Sequence, residues 1–209
     1  MRAVLFDLDG TLHDRAATIR AWLAGHVARF DLPAGDAARF RELDDLGDRP
    51  KAEVMPHLVR EFMLPYAPAD LLDDVSARAF SHPVSVPHSA RMLAEFRRQG
   101  VCVGIVTNGW SGKQRQTSTG LELADPVDEI VISREGDLSK PDPRISLLAL
   151  SRLGVDAADT WFVGDSPGTD VWGPQQVGRR AAHLPTGHVL DGEVPDVTLR
   201  DLQGVLALP

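Results

Sequence analysis

The chain has 209 residues, which suits one sizeable domain or a core carrying a smaller insertion. Its formal net charge of −8 argues against a nucleic-acid-binding protein, which needs a basic face. With 43% hydrophobic and 25% charged residues it reads as an ordinary globular chain, and no apolar run is long enough to span a bilayer. The N-terminus lacks the charged-then-apolar layout of a signal peptide, and the single Cys102, flanked by apolar residues and read as a buried thiol, has no partner for an internal disulfide. A reducing cytoplasm is the expected setting, with no membrane and no nucleic acid among the partners.

In chain order, a short apolar strand is expected at residues 3–6. From residue 14 to about 84 there is no convincing strand. Helices are expected at 15–30, 36–46, 51–62 and 69–80, with Pro56 a point where the third kinks or splits. About seventy residues of helix are too many for one crossover, so this stretch reads as an inserted helical domain. An amphipathic helix at 89–99 follows, with Met92, Leu93 and Phe96 on one side. Strands are expected at 101–106, 130–132 and 161–163, with a weaker one at 181–184, and a helix at 144–153. A further short helix is expected at 199–206 in a loop-rich tail. Strands alternating with helices give an α/β fold: a Rossmann-like, doubly wound parallel sheet from residues 1–13 and 85–209, with an α-helical cap at 14–84.

The chemistry gathers at strand ends. The first strand runs straight into Asp7 and Asp9, which start on one face and repel each other unless a cation or a shared proton relieves them. Carboxylates are ligands of hard cations and are also covalent nucleophiles. Thr107-Asn108-Gly109 follows the second strand, Lys140 precedes the 144–153 helix, and Asp165 and Asp170 follow the fourth strand, beside a helix near 169–177. In an open parallel sheet all of these converge outside the carboxyl ends of the strands. Taken singly each has a bland alternative: turn caps for the aspartates, a helix cap for Thr107, a solvated side chain for Lys140. Lysine is scarce (Lys51, Lys113 and Lys140), so each one stands out.

Asp7-Leu8-Asp9-Gly10-Thr11, then Thr107, Lys140, and Asp165 with Asp170, in that order, resemble the haloacid dehalogenase superfamily, in its phosphatase branch with a helical cap after the first motif. The resemblance implies a magnesium-dependent phosphatase acting on a small phosphorylated metabolite. It makes Asp7 the nucleophile that forms an aspartyl-phosphate, Asp9 the general acid and base, and Lys140 the charge-stabilising cation. Asp7, Asp165 and the carbonyl of Asp9 would hold Mg²⁺, with Asp170 behind them. Thr107, Asn108, Gly109 and Lys140 would bind phosphate, the Thr107 hydroxyl and the amides of Asn108 and Gly109 acting as donors. In the cap, Trp22, Arg49 and Lys51 are the candidates for substrate specificity. A dehalogenase lacks an acid equivalent to Asp9; a phosphomutase on the same core and a catalytically silent metabolite sensor are the alternatives. His13 is expected on the surface or at the cap hinge, and Trp110 and Trp172 packed between helix and sheet.

Overall fold

The structure is a computed structural model that describes residues 1–123, 125–135 and 137–209, the side chain of Glu135 excepted. The chain forms two compact units, Met1–Asp14 with Val84–Pro209, and Arg15–Pro83. The strands are β1 (Ala3–Phe6), β2 (Cys102–Thr107), β3 (Glu129–Ile132), β4 (Thr160–Gly164), β5 (Arg180–His183) and β6 (Val197–Thr198). The main helices are α1 (Arg15–Phe30), α2 (Asp36–Asp44), α3 (Lys51–Glu61), α4 (Pro68–Arg78), α5 (Ser89–Gln99), α6 (Ser111–Gly120) and α7 (Pro143–Leu153).

The first unit holds one sheet in the order β3-β2-β1-β4-β5-β6, every neighbouring pair parallel. This is the α/β sheet expected from the sequence, extended by β6. Alternation along the strands builds two cores. Val4, Phe6, Val103, Ile105, Trp161 and Val163 meet Met92, Leu93 and Phe96 of α5. Leu5, Val106, Val131 and Phe162 face the other way, onto Ile145 and Ala149 of α7. Burying each of these large side chains is worth about 1.5–3 kcal/mol. The tail belongs to the first core: Leu199, Leu202 and Val205 join it, and the Trp161 indole donates to the Pro209 carbonyl at 3.0 Å. Chain order runs from β1 through β2 to β3, then crosses back to β4 on the other side of β1. The carboxyl end of β1 therefore stands at the point where the winding reverses, the usual place for a ligand.

Helix α6 has no counterpart in the sequence reading. Its ten residues, Ser-Gly-Lys-Gln-Arg-Gln-Thr-Ser-Thr-Gly, carry no apolar side chain, and the face it buries consists of Gln114, Thr117 and Ser118. The expected helix at 169–177 is also replaced. Pro167–Trp172 winds as a wide π-type turn, followed by a single short turn at Gly173–Gln175 that carries Pro174. Cys102 is half-buried rather than fully enclosed.

The chain crosses out of the first unit on two segments that pair with each other. Asp14 N donates to the Val84 carbonyl at 2.7 Å, Val86 N donates to the Leu12 carbonyl at 3.0 Å, and His13 bridges to Ser85 between them.

In the second unit, α1–α4 enclose their own core of Ile19, Leu23, Phe40, Val54, Met55, Leu58, Leu71 and Val75. Helix α3 runs unbroken through Pro56, which does not split it. Helix α2 stops at Asp44, two residues short of expectation, because Asp45 and Leu46 turn left-handed (φ 48° and 52°). Asp74 anchors the unit. It accepts from Trp22 Nε1 at 3.0 Å and from Arg29 Nε and Nη2 at 2.9 and 2.7 Å, and it lies 2.7 Å from His26 Nδ1. Burial pushes the Asp74 carboxyl up, but bonds from Arg29, His26 and Trp22 outweigh it and hold its pKa below the usual value. Asp74→Ala strands the buried Trp22 and His26 donors and is expected to destabilise the unit by about 3 kcal/mol, read as a lowered urea midpoint. Because the folded pKa is depressed, this stabilisation is present above the unfolded value of about 3.9 and fades as pH falls through the folded one. The gap between wild type and Asp74→Ala should therefore narrow in acid.

Candidate active site

The site starts where β1 ends. Asp7 N donates to the Val163 carbonyl at 2.9 Å and so continues the pairing with β4. The chain then turns sharply: the Leu8 carbonyl accepts from Leu12 N and His13 N at 3.0 and 2.9 Å. Two glycines make room for the acids. At Gly10 (φ +85°) a Cβ would stand 2.2 Å from Asp165 Oδ2, and at Gly164 it would stand 2.3 Å from Asp170 Oδ2. A side chain at either position would push an acid out of its place. The π-type turn aims Asp170 inward, where its Oδ2 accepts from Ser166 N at 3.0 Å and its Oδ1 from Thr169 Oγ1 at 3.0 Å.

Asp7, Asp165 and Asp170 are all buried, and a carboxylate oxygen from each lies within 4.8 Å of the others. Among them sits the buried Lys140, whose Nζ donates to Asp7 Oδ1 and Asp170 Oδ1, both at 2.7 Å. Asn108 holds Lys140 in place through its main chain: Nδ2 donates to the Lys140 carbonyl at 2.9 Å, and Oδ1 accepts from Lys140 N at 2.8 Å. Burial, with repulsion from Asp170 and Asp165, pushes the Asp7 carboxyl up to about 8 even though Lys140 opposes it. Burial and the Asp170 charge push Asp165 up to about 7. Burial pulls the Lys140 ammonium down, but Asp170 and Asp7 more than offset that and raise it above an ordinary lysine. Three carboxylates thus face one ammonium, and the cluster is short of positive charge near neutrality. An all-oxygen donor set with that deficit fits a hard divalent cation, held by the carboxylates of Asp7 and Asp165 with Asp170 alongside.

Asp9 stands beside this cluster with both oxygens engaged. Its Oδ1 lies 2.5 Å from His13 Nδ1, and its Oδ2 accepts from Lys113 Nζ and Gln114 Nε2, each at 3.2 Å. His13, expected at the surface or the hinge, lies at the crossing but is fully buried, because its pairing with Ser85 turns the ring back under Asp9. The Thr107 hydroxyl accepts from Gln114 Nε2 at 2.8 Å, and Gly109 N donates to Ser133 Oγ at 3.1 Å. Sequence reasoning missed Lys113, Gln114 and Ser133 as parts of the site, and set His13 at the surface or hinge rather than against Asp9. One signal was there for Lys113: it is among the chain's three lysines.

Trp110 and Trp172, expected between helix and sheet, are instead 66% and 49% exposed: Trp110 stands at the start of α6 and Trp172 closes the π-type turn, both beyond the strand ends. Arg134 stacks on the Trp110 ring at 3.8 Å. The three specificity candidates lie in the helical unit. Trp22 packs in that unit's core, its indole donates to Asp74 at 3.0 Å, and it also lines a cavity of the unit beside Thr18, Arg29 and His82. Lys51 is not a solvated lysine: its Nζ lies 2.5 Å from Asp44 Oδ1 and donates to the Arg49 carbonyl at 2.6 Å. Arg15 grips the same buried Asp44 through both of its carboxylate oxygens, at 2.7 and 2.9 Å. The Arg49 side chain is exposed.

A doubly wound parallel sheet with acids, a lysine and a threonine gathered at its switch point is the catalytic layout of an α/β enzyme whose chemistry runs on carboxylates. The chain belongs to the haloacid dehalogenase-like hydrolase family, whose profile matches residues 4–183, and it falls in the phosphatase branch of that family. It is 30% identical over 197 residues to the glyceraldehyde 3-phosphate phosphatase of Pyrococcus abyssi, covering 90% of this chain and 82% of that one. It is 32% identical over 185 residues to the phosphoglycolate phosphatase of Rhodospirillum rubrum, covering 81% and 73%. Its fold matches the hydrolase YfnB of Bacillus subtilis, solved with magnesium bound, at a TM-score of 0.84 and 20% identity over 99% of this chain and 97% of that one.

Proposed function

We propose that the chain is a magnesium-dependent phosphatase that moves the phosphoryl group of a small phosphomonoester onto Asp7 and then onto water. The observation that carries this reading is the Lys140 ammonium, shared at 2.7 Å between Asp7 and Asp170 inside a buried set of three carboxylates. An Asp7 oxygen attacks phosphorus while the bond from phosphorus to the ester oxygen breaks, giving an aspartyl-phosphate and an alcohol. Asp9 gives its proton to the departing oxygen. It then takes one from the water that attacks phosphorus, which frees Asp7 and releases phosphate. Lys140 keeps a positive charge beside the attacking oxygen and the transferring group. The Thr107 hydroxyl donates to a phosphate oxygen, while Asn108 acts through the main chain of Lys140. When bound by Asp7, Asp165 and the Asp9 carbonyl, magnesium supplies neutralising charge for the carboxylates and the phosphate together.

The relatives' names point to small phosphorylated acids and aldehydes as the first substrates to try, and the acidic chain with its lone Cys102 favours a cytoplasmic setting. A panel of phosphomonoesters, assayed with magnesium and with a chelator, tests the reading. Phosphate release that disappears on chelation and returns with magnesium is the expected result. Isomerised sugar phosphate as the main product would replace it with a phosphomutase, and ligand binding without turnover would replace it with a sensor.

A further inference from the structure

The first turn of α6 returns to the site. Gln114 N donates to the Trp110 carbonyl at 3.0 Å, and the Gln114 side chain is fully buried. Its Nε2 lies 2.8 Å from Thr107 Oγ1, 2.9 Å from the Asn108 carbonyl and 3.2 Å from Asp9 Oδ2. The carbonyl and the carboxylate accept only, and this fixes the amide: turned over, Oε1 would face both of those oxygens. The arrangement is costly, because Oε1 is buried without a hydrogen-bond partner among the described residues. Methionine would fill the same space without that cost, so what glutamine adds here is its donors.

Those donors have a direction. The amide's two protons are shared among these three oxygens, and because Nε2 only donates, Thr107 Oγ1 can only accept from it, so the one proton of the hydroxyl points elsewhere. Its other contact, to the Asn108 carbonyl, is 3.4 Å, long for an O–H donor. The Thr107 proton is thereby left to point at a phosphate oxygen. The same amide holds Asp9 Oδ2, where Lys113 Nζ also donates.

We propose that Gln114 is a positioning residue, whose single amide sets the Thr107 proton toward the phosphate and keeps the Asp9 carboxylate in register with the leaving oxygen. The proposal rests on the phosphatase reading and adds to it a residue that acts only through Asp9 and Thr107.

The test compares Gln114→Met, which keeps the length and removes the donors, with Gln114→Glu, which keeps the shape and replaces the donors by acceptors. Both are assayed on an alkyl phosphomonoester and on para-nitrophenyl phosphate, whose leaving group needs little protonation. For the alkyl ester kcat/KM, which reports the transfer to Asp7, should fall roughly 10²-fold, the scale of a misplaced catalytic group, and for the nitrophenyl ester less than about tenfold. Inorganic phosphate, titrated by calorimetry, should bind both variants more weakly than wild type. If Gln114→Met does not unfold cooperatively, Gln114→Glu carries the same reading. Equal losses on the two esters with unchanged phosphate binding, or full activity in Gln114→Glu, would make Gln114 a packing residue and overturn the proposal. A wild type that hydrolyses neither ester contradicts the phosphatase reading instead, and the phosphate titration then still decides for Gln114.

Discussion

Asp7→Asn is expected to fold normally and to lose phosphate release by roughly 10³-fold or more, since it removes the atom that forms the bond to phosphorus. The substitution keeps size and shape, so the packing of β1 against β4 is untouched. Its effect on stability has a definite sign. Burial and two neighbouring carboxylates hold the Asp7 pKa up at about 8, well above its unfolded value. An acid raised in this way costs the fold stability once pH exceeds its unfolded pKa of about 3.9, increasingly up to the folded value. In chelator at neutral pH, Asp7→Asn should therefore melt at the same temperature as wild type or higher. A large fall in melting temperature would mean that Asp7 supports the fold and does not merely occupy it at a cost.

Lys140→Met should be the second severe variant, and it should be severe in both activity and stability. It removes the ammonium that lies 2.7 Å from both Asp7 and Asp170, and leaves three buried carboxylates facing one another. Breaking a buried ion pair from one side costs about 3–5 kcal/mol. Removing one charge-stabilising donor costs roughly 10²–10³ in kcat. The pH dependence separates this from ordinary loss of packing. Without Lys140 the carboxylates hold protons more tightly in the folded state, so stability falls as pH rises and recovers on acidification. Urea midpoints at pH near 5 and near 8 check this: the deficit of Lys140→Met against wild type should be smaller at the lower pH. An equal deficit at both would show that the loss does not come from the charge of the ammonium, and would contradict this reading.

The parts legible in the sequence were those where apolar strands run directly into polar residues. β1 with Asp7 and Asp9, β2 with Thr107, and β4 with Asp165 announce themselves because a buried strand is a run of apolar letters and its end is an abrupt change. Helix α6 could not be seen in that way. It packs with Gln114, Thr117 and Ser118 against a polar site, so the periodic apolar signal that marks a helix is missing because of where the helix sits. Gln114 and Lys113 were lost with it. β6 is two residues long, too short for any alternation to show. His13 lies at the expected crossing, but its burial could not be read, because it depends on the pairing of two chain segments about seventy residues apart. The tryptophans were misjudged in the opposite sense: a large apolar ring argues for burial, yet position beyond a strand end overrides it. The π-type turn at Pro167–Trp172 follows a sequence with glycine and proline on both sides of the acid, which marks an irregular turn without specifying which one.

Turnover by this route requires that a phosphoryl group become covalently attached to the seventh residue. Rapid acid quench of the magnesium-loaded enzyme during turnover, followed by borohydride reduction and peptide mass spectrometry, reads that directly. The predicted result is homoserine at position 7, formed by reduction of the acyl-phosphate and absent when substrate is omitted. Unmodified Asp7 under conditions where phosphate is being released, or a reduced carboxylate at Asp9, Asp165 or Asp170 instead, would contradict it.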